Sequence, residues 1–256
     1  MITILTSTYN RAYTLERLYK SLVNQQDKDF EWVLVDDGST DNSKELIQGF
    51  VKENKLKIKY VYQPNSGKHV ALNTGCIHAE GEYIFIVDSD DALTQDAIII
   101  IKKEIKNNPS FVGYCFRKIT FDNQYLGTVI NEKKIILNPT QAGKVFKGDL
   151  AYVFSKTSMI ENPFPVISGE KFVPELYIWN KIADTGDILF FPNEWIYVCE
   201  YLPDGCSMNF KSNLKNNPIG FALFYKDQIN REVNFILKLK NLIRFLQCQL
   251  IMVTKK

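Results

Sequence analysis

Acidic and hydroxyl side chains gather at three places in this sequence, each directly after a short apolar run. The three clusters are Thr6–Arg11, Asp36-Asp37 and Asp88–Asp91. Neighbouring carboxylates repel one another, so a fold that brings such clusters together needs a cation or hydrogen-bond donors between them. Asp88 and Asp90 form a D-x-D pattern, in which residues two apart project to the same side and can share one divalent ion. Such oxygen ligands favour Mg²⁺ or Mn²⁺, which leave positions open for water and substrate phosphates.

Alternating strands and helices in the first hundred residues determine where these clusters lie. Apolar residues fall at helical spacing between four apolar runs, which we predict to be buried strands at Ile2–Thr6, Phe30–Val35, Ile58–Tyr62 and Glu82–Val87. Repeated strand–helix units of this kind predict a parallel sheet covered on both faces. Ligands bind such sheets beyond the carboxyl ends of the strands, so the clusters are expected to meet at one edge. For any single cluster, the alternative is an aspartate that only caps a turn or a helix.

Composition and charge exclude several classes of protein. A chain of 256 residues, 45% hydrophobic and 23% charged, is typical of one globular domain or one domain with an appendage. Residues 211–256 hold nine lysines and arginines against two acidic residues, so the net charge of +2 leaves −5 for residues 1–210. An acidic body argues against nucleic acid as a partner. Five dispersed cysteines without a C-x-x-C pair, and no signal-peptide pattern, predict a cytoplasmic protein.

Four motifs, in order, give the sequence a family resemblance. They are Thr8–Arg11, Val35–Asp41, Gly67 with Ala71–Gly75, and Ala79–Tyr83 with Asp88–Asp91. Together they resemble family 2 glycosyltransferases of the GT-A fold, over residues 1–100 and more loosely over residues 145–205. The resemblance implies an α/β protein with a mixed, mostly parallel central sheet flanked by helices. It further implies an inverting, metal-dependent enzyme of cell-surface polysaccharide synthesis, which moves a sugar from a nucleotide sugar, most often a UDP-sugar, to a saccharide or lipid-linked acceptor.

Positions that match the family motifs carry implied roles in donor binding. Thr8 and Tyr9 match the segment that lines the nucleoside pocket, and Asp37 matches the carboxylate that accepts the uracil imide N–H. Lys68 stands where a basic residue often lies near the base or the diphosphate. Asp88 matches the ribose-facing carboxylate, with Ser89 beside it, and Asp90 matches the residue that holds Mn²⁺ or Mg²⁺. The alternatives are a core role for Tyr9 and a solvated turn lysine for Lys68, while Asn73 is expected to bond loop backbone.

Inverting transfer also requires a base outside the D-x-D loop, because the acceptor hydroxyl must lose its proton opposite the departing diphosphate. The segment Gly169–Asn180 resembles the family's acidic motif at the start of the acceptor-side helix. Pro174 suits a first helical turn, so Glu175 is expected near a helix N-terminus facing the cleft. Glu175 is our first candidate for the base and Glu170 the second, with Asp149 as a third. The alternative for Glu175 is a helix-start carboxylate without a catalytic role.

The C-terminal segment differs from the rest of the chain. We predict a GT-A catalytic domain over residues 1–210, with a nucleotide-sugar-binding half (1–100) and an acceptor-binding half (101–210), followed by a basic amphipathic helical extension (211–256). Its predicted apolar stripe consists of Ile229, Val233, Ile236, Leu237, Leu242, Ile243, Leu246 and Leu250. Two interpretations stay open. The extension packs on the body or forms a homo-oligomer, or it lies on the inner face of the cell membrane as a peripheral anchor.

Two other functions are compatible with a nucleotide-binding sheet. A sugar-nucleotide pyrophosphorylase is expected to have a glycine-rich, arginine-bearing loop after the first strand, where this chain has Thr8–Arg11. A catalytically silent nucleotide-binding module is expected to lack the metal-holding carboxylate, and Asp90 is present. Both alternatives are therefore less favoured than sugar transfer.

Overall fold

The computed structural model describes residues 1–202 and 209–254. All four predicted strands are confirmed, to within two residues at each end. The elements, in chain order, are β1 (Ile2–Thr8), α1 (Ala12–Val23), β2 (Phe30–Asp36), α2 (Ser43–Glu53), β3 (Ile58–Tyr62), α3 (Lys68–His78), β4 (Tyr83–Ile86), β5 (Ala92–Leu93), α4 (Ala97–Asn107), β6 (Gly113–Thr120), β7 (Ile135–Ile136), α5 (Pro139–Phe146), β8 (Leu150–Ser155), α6 (Lys156–Glu161), α7 (Glu175–Ala183), β9 (Ile188–Cys199), α8 (Phe210–Asn216), α9 (Pro218–Arg231) and α10 (Phe235–Thr254).

One sheet runs through the body in the order β3-β2-β1-β4-β8-β6-β9-β5, with β7 paired to β9. The strands β3, β2, β1 and β4 are parallel neighbours, as predicted. β8 enters antiparallel between β4 and β6, so the sheet as a whole is mixed. The chain steps outward from β1 to β2 and β3 and then returns to the other side of β1 as β4. This reversal is the topological switch at which ligands bind open α/β sheets.

Helices cover both faces of the sheet because successive strand residues point to opposite sides. Ile4, Trp32 and Leu34 join one core with side chains of α1, α2 and α4. The intervening Leu5 and Val33 join a second core with side chains of α3, α5 and α7. The continuous apolar strands seen in the sequence are therefore explained by burial on both faces.

The C-terminal helices form a separate small cluster against the body. Its buried apolar members are Leu214, Phe221, Ala222, Tyr225 and Cys248. Phe172 of the body stacks on Phe221 with ring centroids 5.5 Å apart, and Arg231 donates to both carboxylate oxygens of Asp184 at 2.8 and 2.6 Å. The extension therefore packs on the body through α9.

α10 packs on α9 with one face and exposes the other. Among the described residues, no helix has the length and apolar character needed to cross a membrane. Of the predicted stripe, Ile229 and Leu237 are half-buried. Val233 is exposed and belongs to the short connection between α9 and α10. The exposed apolar stripe of α10 consists of Phe235, Ile236, Leu239, Leu242, Ile243, Leu246, Leu250 and Val253.

Candidate active site

The loops that follow β1 and β2 are tied together at the carboxyl edge of the sheet. Thr8 pairs with Asp36 in the parallel register of these strands. Asn10 lies in the left-handed region with φ of 53°, which asparagine tolerates better than most residues. Its side-chain oxygen accepts hydrogen bonds from the backbone N–H of Thr40 and Asp41 at 2.8 and 3.3 Å. The first two polar clusters are therefore adjacent, as the sequence predicts.

The two aspartates after β2 are both buried and both hydrogen-bonded. Asp36 accepts from the Tyr60 hydroxyl at 2.9 Å, which fixes the end of the strand. Asp37 accepts from the Gln63 side chain and from the backbone N–H of Ser66 and Gly67, at 2.7 to 2.8 Å. A carboxylate offers about four acceptor positions, so Asp37 retains roughly one for a ligand N–H.

Thr8 and Tyr9 border this edge in different ways. Thr8 is buried, and its hydroxyl has no hydrogen-bond partner among the residues that the structure describes. The Tyr9 ring is 47% exposed at the surface beside it, so the alternative of a core role for Tyr9 is wrong. An unsatisfied buried hydroxyl next to an exposed aromatic ring is suited to a planar ligand that stacks and accepts a hydrogen bond.

A tyrosine from the last strand holds the third cluster in shape. The Tyr197 hydroxyl accepts from the backbone N–H of Asp88 and donates to Asp91, at 2.9 and 2.7 Å. Burial and the charge of Asp88 raise the pKa of Asp91 to about 7. Asp91 therefore supports the loop from inside the protein, while Asp88 lines the cleft. Sequence reasoning missed Tyr197, because no local pattern links it to a loop more than a hundred residues earlier.

Lys68 joins the Asp88 loop to the start of α7. Its Nζ lies 2.6 Å from Asp88 Oδ1 and 2.7 Å from Glu175 Oε1. Burial alone would lower the pKa of Lys68, but the charges of Asp88 and Glu175 outweigh burial and raise it well above its usual value. Lys68 is thus an ion-paired side chain within the cleft, and the alternative of a solvated turn lysine is wrong.

A second cation, Lys118 on β6, also faces this cleft. Burial would lower its pKa, but the charges of Asp88 and Asp91 raise it. Its Nζ lies 3.9 Å from the centroid of the Tyr197 ring. The polar and aromatic residues that line the cavity here are Asp88, Lys118, Tyr152, Glu175, Trp179 and Tyr197. Lys118 was missed from sequence because it follows an ordinary strand pattern and carries no motif.

Asp90 has an open carboxylate. Within the described residues no side chain donates to it, and Arg17 donates only to its backbone carbonyl. Burial and the charge of Asp88 outweigh the charges of Arg11 and Lys68 and raise the pKa of Asp90, so a further cation would stabilise its ionised form. In the part of the chain that the structure describes, no three metal-ligating side chains cluster. Mg²⁺ needs only one or two protein carboxylates when substrate phosphates complete its shell, so Asp90 and Asp88 fit a metal held jointly with a diphosphate.

The two candidate bases lie in different surroundings. Glu175 is the first residue of α7 and reaches into the cleft, where Lys68 contacts it. Trp179 of the same helix packs against Phe154 with ring centroids 4.8 Å apart, which anchors the buried face of α7. Both oxygens of Glu170 instead accept from the backbone N–H of Ile219 and Gly220, at 2.7 and 2.8 Å. The structure therefore brings Glu175, but not Glu170, to the Asp88 loop.

Glu170 caps the N-terminus of α9, where a carboxylate is stabilised by free N–H groups and by the helix dipole. Glu170→Gln keeps only one acceptor oxygen, so we expect the free energy of unfolding to fall by about 1–3 kcal/mol. Urea unfolding at neutral pH measures this change. Glu161→Gln, an exposed site, is the matched control and should stay within about 0.5 kcal/mol of the wild type. A Glu170→Gln protein of wild-type stability would contradict the capping role.

Three other polar residues that the sequence analysis named are well defined in the structure. Asn73 donates to the carbonyl of Phe164 at 2.8 Å and accepts from its N–H at 2.9 Å, which confirms its structural role. Ser89 is buried within the D-x-D loop. Asp149, the third candidate for the base, is exposed and accepts from the Tyr201 hydroxyl at 2.7 Å.

Comparison with solved structures identifies the fold. Staphylococcus aureus TarS in complex with UDP shares 20% identity with a TM-score of 0.71, covering 96% of this chain and 70% of that one. The Pyrobaculum calidifontis mannosyltransferase PcManGT in complex with GDP-Man and Mn²⁺ shares 19% identity with a TM-score of 0.64, covering 99% of this chain and 74% of that one. The fold is that of the GT-A glycosyltransferases, as the resemblance implied.

Sequence comparison identifies the family. Residues 3–162 match the family described as Glycosyl transferase family 2, and the chain belongs to that family. An uncharacterized glycosyltransferase of Nostoc is 34% identical over 156 residues, which is 61% of this chain and 46% of the relative. A GalNAc(5)-diNAcBac-PP-undecaprenol beta-1,3-glucosyltransferase of Campylobacter jejuni is 28% identical over 166 residues, which is 63% of this chain and 53% of the relative. The chain thus spans about half the length of these two relatives.

Proposed function

We propose that this protein is an inverting glycosyltransferase that moves a sugar from a UDP-sugar to a hydroxyl of a saccharide or lipid-linked acceptor in cell-surface polysaccharide synthesis. The observation that carries the proposal is the meeting of Asp88 and Glu175 at one lysine, Lys68. One carboxylate belongs to the nucleotide side and the other to the acceptor side, so the reacting groups of two substrates can meet between them. Residues 1–100 bind the donor and residues 101–210 the acceptor.

The donor binds at the carboxyl edge of the parallel strands. The uracil ring stacks on Tyr9, and its imide N–H donates to the remaining acceptor position of Asp37. Asp88 and Ser89 receive the ribose, and the diphosphate reaches Lys68. The UDP complex of TarS and the GDP-Man complex of PcManGT, two proteins of the same fold, support a nucleotide-sugar donor.

Transfer then needs one proton acceptor and one leaving group. Glu175 takes the proton of the acceptor hydroxyl as that oxygen attacks the anomeric carbon. The bond from the anomeric carbon to the diphosphate oxygen breaks, and its electron pair leaves with UDP. Attack from the face opposite the departing diphosphate inverts the anomeric configuration.

A divalent metal fits beside this leaving group. Asp90, with Asp88, would hold Mn²⁺ or Mg²⁺ together with the diphosphate, where the ion would stabilise the negative charge that develops on UDP. The Mn²⁺ in the PcManGT structure supports this assignment.

A panel of UDP- and GDP-sugars tests the proposal directly. With Mn²⁺ present, we expect hydrolysis or transfer from a UDP-sugar and weaker or no turnover of GDP-sugars, because Asp37 is suited to a uracil imide. Isothermal titration with UDP, with and without Mn²⁺, checks binding separately from turnover. A protein that binds neither UDP nor GDP under these conditions would refute the proposal.

We further propose that the extension is a peripheral membrane anchor and that the protein works at the cytoplasmic face of the membrane. The exposed apolar stripe of α10 spans the length of the helix, and the exposed Lys238 and Lys240 border its two sides. An apolar face flanked by cations is typical of helices that lie in an anionic lipid surface. The undecaprenol-linked specificity in the name of the Campylobacter relative supports a lipid-linked acceptor.

Flotation with vesicles containing phosphatidylglycerol measures this contact. We expect the full chain to float with the lipid, and Leu239→Glu with Leu246→Glu to reduce the bound fraction several-fold, because each change puts a carboxylate into the apolar face. Asn230→Glu, which adds one carboxylate at an exposed site on α9, should leave binding nearly unchanged. Equal flotation of all three proteins, or a wild type that stays in solution as a dimer, would instead support a docked or self-associating extension.

A further inference from the structure

One lysine contacts two carboxylates that serve different substrates. Asp88 Oδ1 and Glu175 Oε1 lie 2.6 and 2.7 Å from Lys68 Nζ. The side chains of all three residues are about one-third exposed, at 31% for Lys68, 33% for Asp88 and 35% for Glu175. The contact therefore lies within reach of a ligand that enters the cleft.

The backbone on either side fixes the position of Lys68. Lys68 is the first residue of α3, and Gly67 precedes it with φ of 97°. The Gly67 N–H donates to Asp37 at 2.7 Å. A Cβ on Gly67 would lie 2.2 Å from the carbonyl oxygen of Lys171, so the start of α3 is in close contact with the segment that leads into α7. The backbone at Lys68 is thus held in place, and a change of partners there falls to its side chain.

Glu175 depends on Lys68 for its charge balance. Among the described residues, Lys68 is the only cation within ion-pair distance of Glu175. Asp88 has more support, because the charges of Lys68 and of Lys118 outweigh burial and lower its pKa. Loss of Lys68 would therefore change the environment of Glu175 more than that of Asp88.

We propose that Lys68 is a positioning residue that couples donor binding to the base: without donor it holds Glu175 in an ion pair, and the donor diphosphate competes for the same ammonium group and draws it away from Glu175. The inference rests on the proposed function. A diphosphate is a stronger partner than one carboxylate because it carries more negative charge, and an ammonium group on a flexible stem can redirect its three N–H donors. Glu175 then loses its ion-pair partner, so its carboxylate is free to take the proton of the acceptor hydroxyl when both substrates are present.

UDP binding measured by isothermal titration, on the full chain with EDTA and again with Mn²⁺, tests this coupling without any turnover. Competition predicts that Glu175→Gln strengthens UDP binding about three- to tenfold, because Lys68 loses one partner. Lys68→Met should weaken binding about tenfold. In the Lys68→Met background, Glu175→Gln should change affinity less than about twofold, because the competing cation is absent.

Control variants distinguish this coupling from a purely structural role of Lys68. Lys171→Met removes an exposed lysine near the same segment and should leave UDP affinity unchanged, and thermal melting checks that each variant is folded. If Glu175→Gln leaves UDP binding unchanged or weakens it, or if its effect persists in the Lys68→Met background, the coupling is refuted while the proposed function stands. If the wild type binds no nucleotide at all, the proposed function and the coupling fail together.

Discussion

Replacing Glu175 with glutamine is expected to lower the rate of sugar transfer by about 10²–10⁴-fold, with UDP binding not weakened. Glutamine keeps the shape of the side chain at the start of α7 but cannot take a proton from the acceptor hydroxyl. Steady-state transfer, measured with saturating donor, reports the loss. Titration with UDP reports that the donor site is intact.

Glu170→Gln is the matched control for this experiment. It makes the same chemical change five residues earlier, at a carboxylate that binds the N-terminus of α9 and does not face the cleft. We expect it to lower stability and to keep near-normal transfer per folded molecule. Near-normal transfer by Glu175→Gln would eliminate Glu175 as the base, and a selective loss in Glu170→Gln would assign the role there.

Replacing Asp90 with asparagine is expected to abolish the increase in UDP affinity that Mn²⁺ produces and to reduce transfer at least about 100-fold. The amide removes the negative charge of the one carboxylate in the D-x-D loop that lacks a donor among the described residues, while the Asp88–Lys68 pair remains. Titration of UDP with and without Mn²⁺ measures the first effect, and transfer assays measure the second.

Asp96→Asn supplies the comparison for Asp90. Asp96 lies at the start of α4, accepts a hydrogen bond from Thr94 at 2.7 Å, and is remote from the cavity. Its replacement should leave the Mn²⁺ effect on UDP binding as it is in the wild type. A Mn²⁺ effect that survives in Asp90→Asn would show that another group holds the metal, or that the diphosphate is neutralised by Lys68 and Lys118 alone.

Much of the structure of residues 1–100 could be predicted from sequence, because the signals there are local. Continuous apolar runs identified the parallel strands, and polar residues directly after them identified the edge where Asp36, Asp37 and Asp88 gather. Asn73 was correctly expected to bond loop backbone.

The part of the site formed by residues 101–210 was harder to predict, because its contacts join residues far apart in the chain. Tyr197 reaches the D-x-D loop because β9 lies in the sheet next to β6, on the side away from β8. Lys118 faces Asp88 because β6 lies two strands from β4, with β8 between them. Glu170 has the right type and neighbourhood for a base, yet α9 docks on it and occupies both of its oxygens. Such outcomes depend on strand pairing and helix docking, for which hydrophobic periodicity carries no signal.

The reversed direction of β8 has a consequence for how such a protein diversifies. An antiparallel neighbour brings its own beginning to the edge where β4 ends, so the connection over residues 121–149 opens directly onto the cavity at Leu150 and Tyr152. Within that connection, residues 121–134 are mostly exposed and can change in length and composition more readily than β7 and α5, which pack on β9 and in the second core. Under the proposed function, variation in this exposed stretch is expected to change the acceptor, while the buried strands of residues 1–100 stay as they are.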